Sequence, residues 1–102
     1  GVAYKADVND MRESPALEVL QKLHEKGADV WYCDPYIPSI MLDGQTIRSV
    51  DLTPALLQSM DCVVVLTNHS AFDYAMVVAH SSLIVDSRNA LRDFAGDHLL
   101  HL

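Results

Sequence analysis

The sequence predicts an α/β domain built on a mostly parallel, doubly wound sheet with helices on both faces. Two observations carry this. Short apolar runs alternate with capped amphipathic segments, in the order strand, helix, strand, short extended piece, helix, strand, helix, strand. The run 61–67 (DCVVVLT) is also almost unbroken in apolarity rather than alternating, which suits a central parallel strand covered on both sides. A chain of 102 residues fits one domain with a modest core.

The first element is the short apolar run Gly1–Tyr4. It is brief for a strand and lacks an initiator Met, which reads as a fragment of a longer protein. A charged loop with Lys5, Asp7, Asp10, Arg12 and Glu13 leads to Ser14-Pro15, an N-cap followed by a proline whose missing N–H would have had no partner. Ala16, Leu17, Val19, Leu20 and Leu23 then recur with helical spacing, and Gly27 stops the helix. Residues 28–33 (ADVWYC) read as the second strand, ended by Asp34-Pro35.

Residues 36–44 read as loop and 46–50 as a short extended piece. Thr53-Pro54 opens a helix to about Ser59. After the strand 61–67, Asn68-His69-Ser70 caps a helix from Ala71 to about His80, with Phe72, Ala75, Met76 and Val78 facing the core. The run 82–86 (SLIVD) is the last strand and delivers Arg88 beyond its C-terminal end. The tail 90–102 has a weak apolar pattern and reads as a short helix or frayed.

Composition narrows the function classes. The net charge of −7 argues against nonspecific nucleic-acid binding, which needs a positive surface. No apolar run approaches the roughly 20 residues that span a bilayer, and the start does not resemble a signal peptide. Cys33 and Cys62 lie in apolar runs and read as buried free thiols of a reducing cytosol. The five histidines show no metal spacing and read as exposed or capping residues.

Ligands of open parallel sheets sit beyond the C-terminal strand ends. Lys5 follows the first strand and Arg88 the last, so both belong on one sheet edge, where they could hold phosphates. Arg12 lies near the first helix N-terminus, which also favours anions. The bland alternative pairs Lys5 and Arg12 with Asp7, Asp10 or Glu13, and Arg88 with Asp86 or Asp93. Asp34 suits equally a ribose partner or a turn residue. No glycine lies between Gly1 and Gly27, so neither a GxGxxG nor a P-loop wraps a pyrophosphate; side chains must do it.

The stretch GVAYKADVNDMRESPALEVLQKLHEKGADVWYCDPYIP, followed by LTNHSAFDY and IVDSRNAL, resembles the C-terminal, UDP-binding domain of the UDP-glucose/GDP-mannose dehydrogenase family over almost the whole chain. The AYK and DPYIP wording looks most like its UDP-N-acetylhexosamine branch. The resemblance implies a three-layer Rossmann-like domain of an NAD-dependent UDP-sugar 6-dehydrogenase, which oxidises a C6 alcohol to a carboxylate through a covalent thiohemiacetal. It implies that Tyr4, Lys5 and Arg88 contact the UDP-sugar and that Arg12 reaches NAD. It also implies that the catalytic cysteine and most of the NAD site belong to the N-terminal and central helical domains of the same enzyme. On this reading the full-length protein is a cytoplasmic homo-oligomer, with no nucleic-acid or membrane partner, and the 102 residues alone are inactive. Cys33 and Cys62 match no catalytic position. Two other classes compete: a stand-alone nucleotide-binding or scaffold module, and a receiver-like signalling domain. The last lacks an acidic pair after its first strand.

Overall fold

The computed structural model describes residues 1–10 and 14–102. Its elements are α1 (Pro15–Glu25), β1 (Ser39–Leu42), β2 (Gln45–Arg48), α2 (Pro54–Ser59), β3 (Val63–Val65), α3 (Tyr74–His80), β4 (Ile84–Asp86) and β5 (Leu99–His101). Strands β3, β4 and β5 form a parallel sheet in that order, with Val64 opposite Val85 and Val85 opposite Leu100. The α/β class and the parallel sheet agree with the sequence. The central strand is β4 rather than the run at 61–67, because the tail adds β5 on its far side. The tail is therefore neither helical nor frayed: Ile84 N donates to His98 O at 2.8 Å, and Leu102 N donates to Asp86 O at 3.0 Å.

Residues 1–4 and 28–33, read from sequence as strands, form no regular ladder. Their hydrogen bonds explain why. The amides of Val2 and Ala3 donate to the Asp34 carboxylate, at 2.8 and 3.1 Å, rather than to a neighbouring backbone. Tyr32 O accepts Val50 N instead of pairing within a parallel sheet. The path segment–helix–segment survives without the regular pairing. Residues 1–4 still lie beside the end of β3, because Thr67 Oγ1 donates to Ala3 O at 2.8 Å.

A second correction is an antiparallel hairpin, β1–β2, where the sequence reading had a loop and a lone extended piece. Its turn is Asp43-Gly44, both with positive φ (49° and 78°), a twist that suits two-residue hairpins. Ile40 and Leu42 turn inward while Met41 faces out. The turn is tied to α1 by bonds from Gln21 and His24 to the Asp43 carboxylate.

Ser14 occupies the N-cap position of α1 but makes no side-chain cap; its hydroxyl donates to Val2 O at 2.7 Å and fastens the helix start to the opening segment. Helix α3 begins three residues later than expected. Asp73 caps it by accepting Met76 N, so Val77 becomes the fully buried residue and Ala75 faces outward. Two apolar clusters result. Val2, Ala3, Ala16, Leu20, Tyr32, Ile37, Ile40 and Leu42 pack under α1 and the hairpin. Leu57, Val65, Val77, Ile84, Leu91 and Leu99 pack around the parallel sheet. Each fully buried aliphatic side chain contributes about 1.5–3 kcal/mol from burial. Among the described residues no helix is long and apolar enough to cross a membrane.

Candidate functional site at the strand ends

Three chain segments end side by side at one edge of the sheet: residues 1–4, β3 and β4. Hydrogen bonds fix their adjacency. Thr67 Oγ1 reaches Ala3 O, and Ser87 reaches Val65 O with both its amide (3.3 Å) and its hydroxyl (2.6 Å). Lys5 and Arg88 therefore emerge on the same edge, as the strand-end argument required.

The two cations are held differently. Arg88 is exposed, but its Nε donates to Leu66 O at 2.8 Å, which fixes the guanidinium plane and leaves its other donors directed elsewhere. Its backbone is fixed as well. The buried Asp86 carboxylate accepts the amides of Arg88 (3.0 Å), Ala90 (3.1 Å) and Leu91 (2.8 Å). Burial alone would raise the Asp86 carboxyl, but these amides and the nearby His101 outweigh it and hold it low. Lys5 is exposed, with Nζ 5.4 Å from the Tyr4 ring centroid, a loose cation–π contact. Tyr4 itself is 39% exposed.

Among the described residues neither Lys5 nor Arg88 forms an ion pair with a carboxylate. Asp86 serves the Arg88 amide, not its side chain, and Asp7 is occupied by Ser70. Among the described residues the bland pairing is thus not seen for Lys5 or Arg88, and Glu13, the other carboxylate offered to Lys5, lies outside them. Arg12 lies outside the described residues.

Asp34 is 3% exposed. One oxygen accepts Val2 N, Ala3 N and His69 Nε2 (2.8 Å); the other accepts Tyr36 N (2.8 Å), an Asx turn. Burial pushes its carboxyl up, but these donors together win and hold it below the usual range. Of the two roles the sequence allowed, the turn is the one its contacts show. The Tyr74 hydroxyl is buried without a partner among the described residues; burial, then Asp86 and Asp7, push it up to about 12, so it stays protonated.

Two sequence readings fail here. His69 is fully buried rather than exposed or capping. It sits just past the C-terminal end of β3, so the rule that placed Lys5 and Arg88 would have placed it too. The thiols are free, but Cys62 is exposed and Cys33 only half-buried.

Comparisons with known proteins supply the family and the fold. The profile described as "UDP-glucose/GDP-mannose dehydrogenase family, UDP binding domain" matches residues 1–93. The UDP-N-acetyl-D-mannosamine dehydrogenase of Methanococcus vannielii is 31% identical over 99 residues, covering 89% of this chain and 22% of that protein. The enzyme of the same name from Campylobacter jejuni is 36% identical over 75 residues, covering 71% of this chain and 18% of its own length. The structure of a UDP-D-ManNAc dehydrogenase from Pyrococcus horikoshii superposes with a TM-score of 0.74 at 21% identity, over 99% of this chain and 23% of that one; this likeness carries the Rossmann-like fold. The chain thus spans about a fifth of the length of the relatives it matches.

Proposed function

The chain belongs to the UDP-glucose/GDP-mannose dehydrogenase family, as its UDP-binding domain, and on that premise we propose that it is the nucleotide-sugar-binding domain, residues 1–102, of an NAD-dependent UDP-sugar 6-dehydrogenase. The whole reaction takes RCH2OH, two NAD+ and one water to RCOO−, two NADH and three protons. The described residues supply no glycine-rich cradle for a dinucleotide. Oxidation therefore belongs to other parts of the protein, and within this chain only Arg12 is assigned toward NAD. The setting is the cytoplasm, where Cys33 and Cys62 remain reduced.

What this chain does is hold one reactant. Lys5 places a mobile point charge, and Arg88 a fixed planar fork, against the diphosphate. Tyr4 lies beside Lys5 and offers its exposed ring and hydroxyl to the UDP-sugar. Because the overall charge is −7, these cations must attract the anion locally against the wider field. The observation that carries the reading is the convergence of Lys5 and Arg88 on one strand edge with their charge uncommitted to any described carboxylate.

The test is calorimetric titration of the full-length enzyme with UDP. Lys5→Ala and Arg88→Ala are each expected to raise Kd about tenfold, the loss of one charge-assisted contact. Arg12→Ala is expected to change the KM for NAD instead. Unchanged UDP-sugar KM and kcat in the Lys5 and Arg88 variants would refute the assignment. UDP binding with no NADH formation by the full-length protein would favour the stand-alone binding module.

A further inference from the structure

We propose that His69 is a positioning residue for the nucleotide site, acting through Asp7 to hold the loop that carries Lys5; the inference rests on the UDP-site reading above. The imidazole is fully buried, and both of its nitrogens are committed. Nδ1 lies 2.8 Å from Asp7 N. A backbone amide can only donate, so Nδ1 carries no proton. Nε2 therefore holds the ring proton and donates it to Asp34 Oδ2, at 2.8 Å. A neutral ring in one tautomer links the second segment's Asp34 to the opening loop's Asp7.

The ring cannot turn freely. Tyr36 lies against it with centroids 4.9 Å apart, and Phe72 meets it edge-on at 5.4 Å. Among the described residues, Asp34, Asp7 and Tyr36 are titratable groups that face it. Asp7 is fixed in turn. It sits at φ 61°, a left-handed conformation that Asp tolerates, and its carboxylate accepts Ser70 N at 2.7 Å and Ser70 Oγ at 2.6 Å. The Ser70 hydroxyl, then its amide, hold the Asp7 carboxyl low. At the other end, Tyr4 N donates to Asp10 O at 2.6 Å. Lys5 thus lies between two anchors only three residues apart, Tyr4 and Asp7. The His69–Asp7 bond is the deeper of the two attachments at Asp7, and without it the Asp7 end of the span carrying Lys5 is held, among the described residues, by Ser70 at the surface.

A merely structural histidine would matter through Asp34 alone, and the two roles can be separated chemically. In His69→Asn the side-chain oxygen falls near the Nδ1 position and still accepts Asp7 N–H, but the Asp34 bond is lost. In His69→Gln the side-chain nitrogen falls near Nε2 and still serves Asp34, but Asp7 loses its acceptor. The readouts are UDP titration, steady-state kinetics and thermal unfolding of the full-length enzyme. The expected result is opposite orders: the Gln variant keeps more stability, yet its UDP Kd and UDP-sugar KM rise about fivefold with kcat at saturation unchanged. The Asn variant stays within about twofold in Kd. In a Lys5→Ala background the Gln effect on Kd should vanish, since it acts through Lys5.

If Kd follows stability, or if the Gln effect persists undiminished without Lys5, the positioning role is wrong while the UDP site stands. If Lys5→Ala itself leaves Kd unchanged, the site reading fails and this inference with it. Should both His69 variants fail to fold, Ser70→Ala decides: it removes the hydroxyl held by Asp7 at the surface and should raise Kd about threefold, and an unchanged Kd overturns the proposal.

Discussion

Replacing Asp34 by Asn tests the joint on which the candidate site is mounted. The carboxylate accepts four hydrogen bonds: Val2 N, Ala3 N and His69 Nε2 on one oxygen, and Tyr36 N on the other. An amide has one accepting end. With its oxygen turned to the threefold side, its NH2 meets Tyr36 N–H donor to donor, and the other three bonds lose their charge assistance. Charge assistance adds about 1 kcal/mol per bond, and one bond is lost outright. Relief of the buried charge offsets part of this, leaving a net loss of about 3 kcal/mol. In a domain of this size that lowers Tm by about 15 °C, measurable by far-UV circular dichroism at pH 7. The sign with pH follows from the lowered carboxyl pKa. Below the unfolded value of about 4 the unfolded chain takes up the proton first, so the stabilisation is present above that pH and is lost as pH falls through the folded value. The gap between wild type and variant should narrow in acid. A gap under about 1 kcal/mol at pH 7, or one that stays constant into acid, would show that Asp34 does not fasten the opening segment.

Further outcomes are expected. Arg88→Lys keeps the charge but cannot reproduce the Nε bond to Leu66 O within a planar fork, so UDP Kd should rise about fivefold; an unchanged Kd would mean that a point charge suffices. Gly44→Ala places a side chain at φ 78° in the hairpin turn and should cost about 1 kcal/mol in thermal unfolding, whereas a neutral result would mean that the turn is remade. UDP binding should weaken as salt is raised from about 0.1 M to 1 M, where the screening length falls from about 10 Å to 3 Å, because both cations are exposed. The Lys5→Ala/Arg88→Ala double variant should show a nearly flat salt response, and a slope equal to that of wild type would place the anion elsewhere.

What could be read in advance was whatever local chemistry decides. Helix α1 was legible from Ser14-Pro15, its apolar spacing and Gly27, and α2 from Thr53-Pro54, whose threonine does cap Leu56 N. Strands β3 and β4 announced themselves by apolarity. The hairpin was legible too: Asp43-Gly44 between SIML and QTIR is a turn signal, obscured by the Pro38 and Tyr36 that precede it. Other features depended on long-range partners. Whether residues 1–4 pair in a ladder depends on a carboxylate more than thirty positions away. Strand β5 has little apolar patterning because Leu99 alone is buried while Leu100 faces out, and its place is set by pairing with β4. His69 looked like a cap residue because Asn68 and Ser70 flank it; its burial comes from Tyr36, Phe72 and Asp34, brought in by the fold.

The site owes its form to one device used twice. Asp34 and Asp86 are buried carboxylates at the ends of their segments, and each gathers backbone amides from the chain around it: Val2, Ala3 and Tyr36 in one case, Arg88, Ala90 and Leu91 in the other. A negative charge beneath the proposed anion site would ordinarily repel such a ligand. Here each charge is spread over several aligned N–H dipoles, which stabilise it where it lies. In return, the amides it binds belong to the segments that carry Lys5 and Arg88. A glycine-rich phosphate loop presents its own amides to the anion. In this chain those amides are turned inward to carboxylates, so the outward contacts fall to side chains. On the proposed reading, that inversion lets a loop with no glycine after Gly1 serve a nucleotide through side chains, with Asp34, His69 and Asp86 tying down the segments that carry them.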